Sequence, residues 1–487
     1  MDFTQLSAAP FAPIWRHFQT LCAIPRPSKF EAPLRDALRA WADVRGLPSQ
    51  VDAAGNLILS KPGSAGRAQF PGVILQGHLD MVCQKDADTA HDFRRDPIGP
   101  VVKDGWLIAE STTLGADNGI GVALALAVLE ADDLAHPPLE VLFTIDEEAG
   151  MGGAQGLAPG VLQGRRLINL DTEEWGLLYL GCAGGIDVNV TYPYASEALP
   201  TGWRTARLTL SGLTGGHSGI DIHLGRGNAV KLLVRVLREL PPDGWRLITL
   251  DGGSARNALP REAFATIAVA AEQFGAVQTA IAQSAADLAR ELGDVEDRLA
   301  LRLTETPALA ALMMTMAHQA LLLAALNAAP HGVKGMSRKL RGVVETSNNL
   351  GVLNVAEGVA QANFMVRSLV DSLTQAHASE IADLFTLIGA DAKLGDAYAG
   401  WQPNPASPLL ALAQEVYARE FGDRAEVKVI HAGLECGIIG AKYPGLDMIS
   451  FGPTIHGAHA PGERVEIASV EHCWHLLTAL LAALPAD

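Results

Sequence analysis

The chain has 487 residues, enough for two or three domains with ample core. Hydrophobic residues make up 48% and charged residues 19%, the composition of an ordinary soluble globular protein. Net charge is −17, and Lys and Arg are neither abundant nor clustered, so the footprint of a nucleic-acid binder is absent. The five cysteines (Cys22, Cys83, Cys182, Cys436 and Cys473) form no CxxC pair, so neither a disulfide framework nor a cysteine zinc site is expected, and a reducing, cytoplasmic setting fits.

The opening stretch MDFTQLSAAPFAPIW has no basic region leading into an apolar one, and no signal peptide is read there. Residues 13–45 read as helix with a break near IPRPS, and GNLILSKPG (55–63) as a strand and turn. VILQGHLDMV (73–82) is an apolar strand running into His78 and Asp80. DNGIGVALALAVLEA (117–131) reads as a helix opening just after Asp117. PLEVLFTIDEE (138–148) is a buried strand ending in three acids, and GRRLINLDTEE (164–174) repeats that plan. Strands alternating with helices, with polar residues at the strand ends, indicate an α/β domain whose site lies along one edge of the sheet.

The texture changes near residue 186. Strand-like segments such as GIDVNVTYPY, WRTARLTLSGL and RNALPREAFATIAVAAE alternate with helices to about residue 395. Residues 306–333 hold no Asp, Glu, Lys or Arg, but their high Ala content and the polar Thr315, His318, Gln319 and Asn327 favour a buried or interface helix near 309–329 over a membrane span. After YAGWQPNPASP (398–408) a helix returns in LLALAQEVYAREFG, followed by strands AEVKVIHAG and LDMISFGP. The simplest organisation is one domain in two pieces, 1–185 and 396–487, interrupted by an inserted domain, 186–395.

The strand ends collect His78 and Asp80, Asp117, Glu147 and Glu148, and Asp171, with His459 late in the chain. Residues two apart in an extended strand face one side, so His78 and Asp80 can share a site. A carboxylate beside a ligating His fixes its tautomer and raises its basicity, the role open to Asp80. Two histidines and three carboxylates suit two divalent ions sharing a bridging carboxylate, zinc first among them. Glu147 and Glu148 are adjacent, so a strand would aim them apart, one to ligate and one to handle protons. Taken singly, each has an ordinary reading: a structural His, a solvated helix start at DEE, a helix cap at Asp117.

At these residues the sequence resembles the aminoacyl-histidine dipeptidases, cytosolic non-specific dipeptidases of the di-zinc superfamily that includes aminoacylases. GHLDMV, LGADNGIGVA, TIDEEAGMGGAQGL, INLDTEE and GGHSGIDIHLGRGNA carry the resemblance, from about Pro25 to His459 and beyond. It implies an α/β fold: a di-zinc exopeptidase-type catalytic domain, a mixed sheet flanked by helices, with an inserted α+β lid long enough to be doubled. His78 and His459 would each bind one of two zinc ions, with Co or Mn as substitutes, and Asp117 would bridge them. Glu148 and Asp171 would complete the two sites. Asp80 would orient His78, and Glu147 would be the general base. The Asp117–Asn118 peptide is expected to be cis. His217 would stabilise the oxyanion, Asn257 and Arg367 would contact the substrate's carboxylate end, and Gly433 would line its pocket. An Arg fork suits a carboxylate geometrically.

The implied activity is hydrolysis of dipeptides such as Ala-His and β-Ala-His, with no nucleic-acid or membrane partner and with a homodimer open. The rival readings are a related N-acyl amino acid amidohydrolase and, in another class, a metal-free binding protein on the same fold. A phosphate-cradling loop is disfavoured, because the Gly-rich GMGGAQG follows three acids. Two departures from the family pattern are His456, three residues before His459, which is either a bystander or a competing ligand, and Ala399, where the family usually has Pro.

Overall fold

The computed structural model describes residues 3–6, 11–307 and 312–486, which form two compact units. The first comprises 1–181, 401–429 and 434–487, the second 182–400 and 430–433.

The first unit is built on an eight-stranded mixed sheet. Its order is Ser49–Val51, Leu57–Lys61, Leu139–Thr144, Val73–His78, Arg166–Asn169, Asp447–Ser450, Leu177–Cys182, Glu426–Ile430. The strand Val73–His78 runs parallel to both neighbours and is buried at every position. That burial explains its unbroken apolar run, because a central parallel strand is covered on both faces. The helix Ala116–Glu130 packs on it and is buried nearly all round, so its Ala and Gly content reflects close approach rather than an amphipathic surface.

The contact is tightest at Gly77, where an added Cβ would lie 2.2 Å from Asn118 Oδ1. Gly77→Ala is therefore expected to cost about 1–3 kcal/mol by overpacking, read as a lower urea midpoint at unchanged slope.

The second unit carries a long antiparallel sheet. Its order is Ala300–Thr306, Trp203–Ser211, Ala263–Ala270, Trp245–Gly252, Val344–Ala356, Val359–Ser368, Gly184–Pro193, Asp391–Tyr398, with Gly332–Met336 paired to Val344–Ala356 off this path. Two halves follow one plan of strand, helix, two strands, helix, strand. One runs through 203–306 with helices Ala229–Glu239 and Phe274–Leu292. The other uses Gly184–Pro193, helix Met316–Ala328, the two strands Val344–Ala356 and Val359–Ser368, helix Asp371–Thr386, and Asp391–Tyr398. In each, the first strand and the third are neighbours, and the halves join edge to edge through Trp245–Gly252 and Val344–Ala356. Each half buries one face under its helices, giving the unit a core of its own.

The charge-free stretch is shorter as helix than its composition suggests. Residues 308–311 lie outside the described residues, Leu312–Met314 is a strand paired with Ser196–Ala198, and the helix begins at Met316. Among the described residues no helix is long and apolar enough to cross a membrane.

Candidate metal centre

The strands Val73–His78, Leu139–Thr144 and Arg166–Asn169 end side by side in parallel, which delivers His78, the 145–148 turn and Asp171 to one edge. His78 is buried, with Nε2 3.1 Å from Asp117 Oδ1 and 3.4 Å from Asp171 Oδ1. On its other side, Nδ1 lies 3.4 Å from Asp80 Oδ1 and 3.2 Å from the Asp80 carbonyl. The second oxygen of Asp117 faces His459, Oδ2 to Nε2 at 3.2 Å, and the same His459 nitrogen is 3.1 Å from Glu148 Oε2. Asp117 thus presents one oxygen to each histidine. His78 and Asp171 stand on one side of it, His459 and Glu148 on the other. Asp117–Asn118 is cis, the isomer that the resemblance implies.

Asp80 is fully buried. It accepts from the Ser28 hydroxyl at 2.7 Å and from the backbone N–H groups of Glu147 (3.0 Å) and Glu148 (3.1 Å). Burial alone would raise its carboxyl, but His78, Ser28 and the Glu147 N–H hold it down at about 2. It therefore stays ionised, fixes the His78 ring, and shapes the turn that presents both glutamates. Glu147 and Glu148 do not lie in a strand: Leu139–Thr144 has ended, and Asp146 has a φ of +56°. Their separation arises from this turn, not from the strand alternation expected of them.

The electrostatics ask for cations. Asp80, Asp117, Glu147, Glu148 and Asp171 surround two imidazoles, and among the described residues no Lys or Arg pairs with any of them. Burial, then neighbouring Asp171, Glu148 and Glu435, pushes the Glu147 carboxyl well up. Burial also lifts Asp171 to about 6. Hydrogen bonds to Asp117 and Glu148 raise His459 to about 11. Buried like charges in this number are stable only when neutralised.

Glu148 Oε1 is buried with no hydrogen-bond partner among the described residues, an acceptor left for something else to use. One donor atom each from His78, Asp117 and Glu148 lie within 4.8 Å of one another, close enough to share a metal ion. Nitrogen and carboxylate donors in this ratio suit a borderline divalent cation, so the residues present fit a metal.

Three supporting residues escaped sequence reasoning. Glu463, 2% exposed, accepts the backbone N–H groups of Leu114 (2.6 Å), Gly115 (2.9 Å), Ala116 (2.8 Å) and Asp117 (3.3 Å), and so moulds the loop that carries Asp117. Buried Arg26 donates to the carbonyls of Leu79, Asp80 and Gly115, tying that loop to the end of the His78 strand. Glu435 lies beneath the site and accepts from Gln76 Nε2 and the Thr144 hydroxyl, each at 2.6 Å.

Their partners are mostly backbone groups or residues remote in sequence, and only the PGE that follows His459 offered a local signal. Glu463→Gln sets an amide NH₂ against backbone N–H donors that need acceptors. It is expected to cost about 2–4 kcal/mol in denaturant unfolding, with weaker metal retention in dialysis.

His456 packs its ring against Trp106, centroids 4.9 Å apart.

The remaining candidates belong to the second unit. His217 Nδ1 accepts from the N–H groups of Gly219 (3.1 Å) and Ile220 (3.0 Å). Burial, with Arg367 nearby, lowers its pKa to about 4, so the ring is neutral with its proton on Nε2. The 255–258 loop is joined to it: the Ser218 N–H donates to the Asn257 carbonyl at 2.8 Å, and the Asn257 side chain is exposed. Arg367 is buried in the sheet, and Gly433 ends the short 430–433 segment.

A mixed sheet whose parallel strand ends gather carboxylates and imidazoles around a shared aspartate defines a metal-dependent hydrolase. The chain belongs to the Peptidase family M20/M25/M40, whose family model matches residues 74–483. It is 46% identical over 484 residues to the cytosol non-specific dipeptidase of Escherichia coli (strain K12), covering 99% of this chain and 100% of that protein. The crystal structure of aminoacylhistidine dipeptidase from Vibrio alginolyticus matches with a TM-score of 0.89 at 44% identity, covering 99% of this chain and 98% of that one. A tripeptidase from Staphylococcus aureus shares the fold, with a TM-score of 0.56 at 16% identity over 97% of this chain and 98% of that one.

Proposed function

We propose that this protein is a cytoplasmic dipeptidase acting on Xaa-His dipeptides such as Ala-His and β-Ala-His, with two zinc ions per chain. The observation that carries the reading is Asp117 standing between two imidazole–carboxylate pairs, in a chain 46% identical over its length to a dipeptidase. In this reading His78 and Asp171 would hold one ion, His459 and Glu148 the other, and Asp117 would serve both. When bound, such ions acidify water and polarise a carbonyl.

The side chains then divide the remaining work. Asp80 keeps His78 in the tautomer that offers Nε2 to the site. Glu147, held at the turn by its N–H bond to Asp80, takes the proton of the attacking water and returns it to the leaving amine. His217, neutral and protonated on Nε2, is suited to donate to the developing oxyanion, Asn257 and Arg367 to receive the peptide's carboxylate end, and Gly433 to line its pocket. In this reading the first unit is the catalytic domain and the second, 182–400 with 430–433, the lid.

The test is metal content and hydrolysis of Ala-His, β-Ala-His and N-acetyl amino acids on one preparation. About two zinc ions per chain with dipeptide cleavage supports the reading. Cleavage of N-acetyl amino acids alone moves it to an amidohydrolase, and absence of both metal and activity to a binding protein.

A further inference from the structure

The second unit contains a transverse row that neither the sequence nor the family assignment explains. In the antiparallel register, Ser347 lies opposite Arg367, Arg367 opposite Gly185, and Gly185 opposite Tyr398. Four adjacent strands thus contribute one residue each, and residues directly opposite in such a sheet stand on one face. The middle position has no side chain. Arg367 reaches past it, donating from Nη1 to Tyr398 Oη at 2.7 Å. A Cβ on Gly185 would sit 2.6 Å from that same Oη and 2.7 Å from Met365 Cε, so the glycine is the gap that lets guanidinium and phenol meet.

The other flank is also fixed. The Ser347 hydroxyl and His431 Nε2 lie 2.8 Å apart, and burial keeps His431 neutral, its pKa lowered to about 3. Arg367 itself is 4% exposed, yet no carboxylate pairs with it among the described residues, and its Nε is buried without a partner. A buried guanidinium with donors unspent is costly unless an anion arrives. Arg forks discriminate by angle, and anchoring one Nη restricts how the rigid planar group can turn.

We propose that Tyr398 is a positioning residue for substrate recognition: through the gap at Gly185 it locks the Arg367 guanidinium in the plane that receives the carboxylate of a peptide's C-terminal residue. The inference rests on the dipeptidase reading and adds to it what holds the arginine. Tyr398→Phe removes the acceptor and keeps the ring. Gly185→Ala keeps the acceptor and displaces it.

The experiment compares wild type, Y398F and G185A on Ala-His and on Ala-His amide, which has no terminal carboxylate, at enzyme concentrations that make slow turnover visible. Both variants are expected to raise KM for Ala-His about tenfold, the worth of one charge-assisted hydrogen bond, with kcat within about twofold. For the amide, kcat/KM should equal that of wild type. An unchanged KM for Ala-His in Y398F overturns the inference, as does an equal loss on both substrates, which marks a merely structural tyrosine. Wild type that cleaves neither substrate overturns the dipeptidase reading itself, a result distinct from a silent Y398F in an active enzyme.

Discussion

Glu147→Gln is expected to lower kcat for Ala-His by about 10³-fold or more while both metal ions stay bound. The substitution is isosteric and leaves the backbone bond from residue 147 to Asp80 intact, so the turn and Glu148 keep their places. What disappears is the carboxylate beside Glu148 that the reading reserves for proton transfer. Glutamine accepts no proton from water and returns none to an amine. The environment sharpens the contrast, because burial and the surrounding acids push the Glu147 carboxyl upward, toward the range where a base can also act as an acid. Rapid-mixing turnover with metal analysis on the same sample checks it. A variant with metal bound and near-normal kcat would falsify the general-base assignment.

Removing metal is expected to have the second large effect, on stability as well as turnover. Without cations, Asp117, Glu148 and Asp171 face each other with only His78 and His459 between them. A ligand present at about a thousand times its Kd adds about 4 kcal/mol to folding stability, and two such sites add more. Chelation should therefore abolish Ala-His cleavage and lower the thermal midpoint by several degrees, with both recovered on adding zinc. A midpoint that does not move while activity vanishes would mean that the carboxylates are tolerated without cations, and the argument from charge would fail.

The continuous apolar run before His78 announced a central strand, because only a strand covered on both faces needs no polar alternation. The Ala-rich helix after Asp117 was legible for a related reason, its length and the unbroken apolar run that follows two early glycines. Residues 306–333 misled because absence of charge fixes neither period nor burial: a short strand and a helix both satisfy it, and Leu312, Met316 and Leu321 are exposed. Glu147 and Glu148 were read as strand residues because nothing in TIDEE marks where pairing stops; the turn is set by Asp80, 67 and 68 residues away. At the site, the residue types pointed to metal chemistry, but the roles of Arg26, Glu435 and Glu463 were not legible, because their partners are backbone groups or side chains far away in the chain. The length of the inserted segment left room for a doubled lid, but where its halves divide was hidden, since the second half begins at Gly184–Pro193 and resumes only after the first is complete.

Glu463 has a consequence for how the chain comes into being on the ribosome. It grips Leu114 from 349 residues downstream, and the strand Asp447–Ser450 enters the middle of the sheet, between Arg166–Asn169 and Leu177–Cys182. When the first 181 residues have emerged, that sheet has an empty slot, and the Asp117 loop has Arg26 on its Gly115 carbonyl but no Glu463 carboxylate for its N–H groups. Contacts this distant close late. A nascent or truncated chain is therefore expected to cut no peptides until almost its last helix has been made.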